Sequence, residues 1–97
     1  MTATTKAVLC AAGQWTAVST AKAKVLASLR SSGAIYLKTG SALPTLAPTT
    51  EDNASAGFDF LTITADRPAS FTFSDTTTNV YAYPRGDSAK TIETVTE

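Results

Sequence analysis

The chain contains no histidine, a single cysteine and a single tryptophan. Without an imidazole there is no His-dependent triad, no histidine-ligated metal and no Cys–His couple. Cys10 alone closes no internal disulfide and leaves the redox compartment unread. It sits in Lys6-Ala7-Val8-Leu9-Cys10-Ala11-Ala12, where apolar neighbours predict a buried small side chain and not a nucleophile. Long apolar runs are absent too: no window approaches the ~20 residues needed to cross a bilayer, and the run from Ala7 to Ala12 is short for a signal peptide.

Net charge is also missing. Eight basic residues balance eight acids, which removes general attraction to nucleic acid or an anionic membrane. The balance hides a segregation, because no acid precedes Glu51 and the first fifty residues carry +5 against −5 for the rest. The two halves are suited to attract each other within the fold or between copies. Large apolar side chains are scarce as well. Of the 43% hydrophobic residues, 17 are Ala, and Leu, Ile, Val and Phe together number 19 of 97. A thin core follows.

What is abundant is Thr (18), Ala (17) and Ser (9). These residues lie in segments that alternate with period two, the mark of half-buried strands. Ile35 and Leu37 share one face and Tyr36 and Lys38 the other; Phe71 and Phe73 alternate with Ser70, Thr72 and Ser74; Tyr81 and Tyr83 project together. The stretch 58–64 places Asp59, Leu61 and Ile63 opposite two phenylalanines and two threonines. Weaker candidates are Lys6–Cys10, Gln14–Ser19, Val25–Arg30 and Ala89–Val95. About eight short strands at a spacing of roughly ten residues predict an all-β fold, a small antiparallel β-sandwich or β-barrel. Thr20–Gly33 also carries helix signals, a cap at Thr20 and alanines at 21, 23 and 27, but the alternation of Val25, Ala27 and Leu29 favours a strand.

One domain of residues 1–97 is expected, with a short flexible tail (1–5) and a long connector (39–57). The connector holds Pro44, Pro48, Gly40, Gly57 and the pair Glu51 and Asp52; its length marks it as functional, as an arm on a neighbour, or as a crossing between sheets, with Leu43 and Leu46 suited to pin it. Ser31-Ser32-Gly33 and the segments 66–69, 75–79 and 84–88 have turn composition and predict hairpins.

No constellation of catalytic, cofactor or metal residues emerges. Asp52-Asn53 and Asp75-Thr76 lack the alternating oxygens of a calcium loop, and Glu51, Asp52 and Asp66 show nothing that would split their acidities. Lys22, Lys24 and Arg30 are the densest basic group, without a phosphate-loop pattern beside them. Arg85-Gly86-Asp87 spells an integrin-type tripeptide, which Pro84 and Gly86 explain equally well as a solvated turn. Trp15 and Val18 fall on opposite strand faces, so one of them faces a core. The interface candidates are Trp15, Tyr36, Leu43, Leu46, Tyr81 and Tyr83, aromatic and apolar groups of the kind that grip a protein or a sugar.

The succession Gly13-Gln14-Trp15-Thr16-Ala17-Val18, then Ala34-Ile35-Tyr36-Leu37-Lys38-Thr39-Gly40 with Leu43-Pro44, then Val80-Tyr81-Ala82-Tyr83 and a Thr-rich final strand, resembles small β-structured virion accessory proteins of tailed bacteriophages. The resemblance spans about Gly13 to Val95. It implies a non-enzymatic structural role in the virion, a capsid decoration or cement protein on the outer surface of the head. The implied partner is the major capsid protein or another virion protein, with no nucleic acid, membrane or cofactor. A homo-oligomer, with a trimer favoured, suits the local threefold positions of an icosahedral shell. The alternative is a receptor- or carbohydrate-binding module of a host-recognition apparatus.

Overall fold

The computed structural model describes residues 2–48 and 59–97, so Thr49 to Phe58, with Glu51, Asp52 and Gly57 of the connector, lie outside the described residues. Eight strands follow one another: β1 (Thr4–Cys10), β2 (Thr16–Ser19), β3 (Lys24–Leu29), β4 (Ala34–Gly40), β5 (Leu61–Thr64), β6 (Ala69–Thr72), β7 (Asn79–Pro84) and β8 (Lys90–Thr96). They form two four-stranded antiparallel sheets. Sheet A has the order β1-β8-β3-β6 and sheet B the order β2-β7-β4-β5.

The alternating segments each contain a strand, with β2 and β5 starting later than the alternation, and Lys24–Leu29 is one of them: Val25, Ala27 and Leu29 are buried while Lys24 and Leu26 are exposed. Threonines 4 and 5, expected in a tail, are already in β1, opposite Thr96 and Val95. Ile35, Leu37, Ile63, Val80 and Ala82 of sheet B and Cys10, Val25, Ala27, Leu29 and Ile92 of sheet A belong to one apolar cluster. Phe71 and Phe73 pack against it, their rings stacked at 5.9 Å. Burying a side chain of this size is worth about 1.5–3 kcal/mol, so this one cluster carries most of the apolar stabilisation of a thin-cored chain.

The hairpin expectation is corrected by the topology. Ser31-Ser32-Gly33 leads from β3 in sheet A to β4 in sheet B, and 66–69, 75–79 and 84–88 likewise join strands of opposite sheets. Gly33 and Gly86 have φ of +94° and +95°, the conformation that turn chemistry predicted, but here it turns the chain between sheets. The long connector is corrected in the other direction. It does not cross between sheets: β4 and β5 are neighbours in sheet B, paired from Ala34↔Thr64 to Leu37↔Leu61.

Candidate functional site

The path of that connector builds the most distinctive surface of the described molecule. It leaves β4 at Gly40, which stands opposite Asn79. Tyr83 stands at the other end of the same strand pair, opposite Tyr36. Yet Leu43, Pro44, Thr45 and Ala47 line one open groove with Trp15 and Tyr83, a space of about 480 Å³. The connector therefore turns back over the outer face of sheet B.

Two contacts hold this arrangement. The indole Nε1 of Trp15 donates a 2.9 Å hydrogen bond to the carbonyl oxygen of Leu46, and the Trp15 ring meets Tyr83 edge-on, centroids 5.3 Å apart at 60°. Edge-to-face contact suits the quadrupoles of both rings. Just before β5, Phe60 packs on Tyr36 with centroids 4.2 Å apart. Alternation along β7 and β4 puts Tyr81, Tyr83 and Tyr36 on this outer face, so its central strands are buried on both sides.

Of the six interface candidates, Trp15, Leu43, Leu46 and Tyr83 are thus brought together. Tyr36 and Tyr81 share the face but are only 4% and 5% exposed, so neither is open to a partner, and the Tyr81 hydroxyl accepts a hydrogen bond from Asn79 Nδ2 at 3.0 Å. Leu43 and Leu46 do not pin the connector by burial, since each remains about half exposed; the indole N–H holds it instead. Val18 is the core-facing member of the Trp15/Val18 pair, at 5% exposure.

The remaining candidates stay apart. Cys10 is fully buried, and burial pushes its thiol up to about 11, which removes the thiolate needed for nucleophilic or redox chemistry near neutrality. The carboxylate of Asp75 accepts hydrogen bonds from the backbone N–H and hydroxyl of Thr77 and from those of Thr78, which together hold its pKa below the usual carboxylate range. This is a self-contained turn and not an active carboxylate. Arg85-Gly86-Asp87 is an exposed connection from β7 to β8. The segregated charges meet in one ion pair among the described residues, Arg30 to Glu93 at 2.8 Å, on a half-exposed surface where such pairs contribute about 0–1 kcal/mol. No group of three or more acidic or cysteine side chains among the described residues is arranged to hold a metal.

The sequence reading missed a second concavity. A cleft of about 310 Å³ lies where β1 and β8 face β2, lined by Lys6, Lys22 and a set of Ser and Thr residues. Its signal was the inward parity of Lys6 on β1.

Comparison with protein-family models, with curated proteins and with solved structures finds no match to this chain.

Proposed function

We propose that the two sheets pack face to face as a β-sandwich of jelly-roll connectivity, and that the chain is a non-enzymatic structural protein of a tailed-phage virion, a decoration or cement protein bound to the outer surface of the head. The shared apolar cluster supports the sandwich. The strand orders β1-β8-β3-β6 and β2-β7-β4-β5 are those of a jelly roll, an architecture used by viral capsid and lectin domains alike. Fold alone does not select between those roles.

The observation that carries the structural reading is the groove of Trp15, Tyr83, Leu43 and Pro44. It is uncharged, with apolar and polar lining in similar measure, and its one indole donor is already committed to Leu46. Among the described residues, only Gln14, Thr45 and the Tyr83 hydroxyl offer side-chain hydrogen bonds there. A sugar needs several such groups around its hydroxyls, whereas an aromatic and aliphatic patch suits the buried centre of a protein contact.

The test is uptake by heads that lack the chain. Saturable, stoichiometric binding is expected, with Tyr83→Ala and the double variant Leu43→Asp/Leu46→Asp reducing it by tenfold or more, the range of interface hot spots. Retention on a glycan surface without binding to heads would replace this reading by the host-recognition one.

A further inference from the structure

The inward face of sheet A changes character along its length. On β1 the residues of one parity are Thr4, Lys6, Val8 and Cys10, and on β8 they are Ile92, Thr94 and Thr96. The register sets Val8 against Ile92, Lys6 against Thr94 and Thr4 against Thr96. The space between the sheets is therefore apolar at the Val8/Ile92 end and carries an ammonium and hydroxyls at the other. That second end opens into the 310 Å³ cleft, completed from the β2 side by Ser19, Thr20 and Lys22.

Three observations point to an anionic occupant. No carboxylate lines the cleft, and neither Lys6 nor Lys22 pairs with one among the described residues. Ser19 is only 6% exposed, and its hydroxyl is buried with no hydrogen-bond partner. An unmet buried hydroxyl is costly, and it persists because a bulge between Ala17 and Ser19 turns both Val18 and Ser19 inward. Next to it, Ala21 has a φ of +56°, a left-handed conformation uncommon for a residue with a Cβ, stabilised by the Asn79 Oδ1 acceptor 3.1 Å from its N–H. This turn delivers Lys22 to the cleft.

We propose that the cleft binds a small tetrahedral oxyanion of the phosphate or sulfate class, held by the ammonium groups of Lys6 and Lys22 and by the hydroxyls of Ser19 and Thr20, the Thr94 hydroxyl being donated to the Lys6 carbonyl. An inward lysine on an edge strand also discourages edge-to-edge pairing. That accounts for Lys6 but leaves Lys22 and the Ser19 hydroxyl unexplained.

Titration of inorganic phosphate at constant ionic strength, with chloride as the control anion and amide NMR as the readout, tests the site. Saturable shifts centred on Ser19, Thr20, Lys22 and Thr94 are expected. Lys6→Gln and Lys22→Gln should each weaken binding roughly tenfold, the loss of one charge-assisted hydrogen bond, while Lys24→Gln leaves it unchanged. A parallel titration with O-phosphoserine separates a free ion from a phosphate carried on a larger molecule: whichever binds more tightly names the source. Shifts that never saturate, that chloride reproduces, or that survive in the Lys6→Gln/Lys22→Gln double variant with a native amide spectrum overturn the proposal.

Discussion

Trp15 and Leu46 are joined by a single hydrogen bond, indole N–H to backbone carbonyl, that closes a loop of 31 residues. It ties the start of β2, at one edge of sheet B, to the connector that leaves β4 two strands away. Trp15→Phe keeps an aromatic ring against Tyr83 and removes only the donor. Loss of about 0.5–1 kcal/mol is expected, at the low end for a neutral hydrogen bond because the site is exposed. The larger effect is local: limited proteolysis within 41–48 should accelerate while the core strands keep their amide protection.

Cys10 should resist thiol reagents at pH 8 in the native protein and react on unfolding. Its thiol is raised from 9.0 to about 11 by desolvation. The stability tied to the neutral thiol is fully present below the unfolded value and is lost as pH rises through the folded one. Denaturant melts between pH 8 and pH 11 should therefore show a decline on the order of 2 kcal/mol that is missing in Cys10→Ala.

Asp75 contributes on the acid side. Its folded pKa lies below the ordinary carboxylate value because of the Thr77 backbone bond first and the Thr78 and Thr77 hydroxyls next. Its contribution is present above the unfolded value and disappears as pH falls through the lowered folded one. A carboxyl NMR titration should place Asp75 below the ordinary aspartate value, and Asp75→Asn should loosen the turn at neutral pH but match the parent once the pH is low enough to protonate Asp75.

Core substitutions are expected to be disproportionately damaging. Ile35 and Ile92 are both fully buried in the shared cluster, one from each sheet. Replacing either with Ala should cost about 2–5 kcal/mol, a large share of the 5–15 kcal/mol typical of a domain. Leu9→Ala, at a position 69% exposed, should stay within about 0.5 kcal/mol. Chemical denaturation of the three variants gives the comparison.

Strand positions were legible because alternation is local: Val25, Ala27 and Leu29 declare a buried face whatever they pair with. Sheet membership was not. Gly33 suits a tight hairpin and a step between sheets equally, since both need the same positive φ. The groove was half legible. Its aromatic residues stand out, but the acceptor for Trp15 is a backbone carbonyl, which any residue at position 46 supplies. Tyr36 and Tyr81 misled for a related reason. On a solvent-facing strand side they would be exposed, but here Phe60 packs on Tyr36 and both tyrosines are buried. The cleft escaped because the inward turn of Ser19 depends on a bulge that composition does not announce.

The pairing of β1 with β8 along its whole length, from Thr4↔Thr96 to Cys10↔Lys90, has a kinetic consequence. During synthesis β1 has no partner in sheet A until β8 has emerged, whereas β3 can already pair with β6. The sheet is completed only when β8 inserts between β1 and β3. Folding is thereby pushed toward a late, concerted event of the slow kind that distant strand pairing imposes.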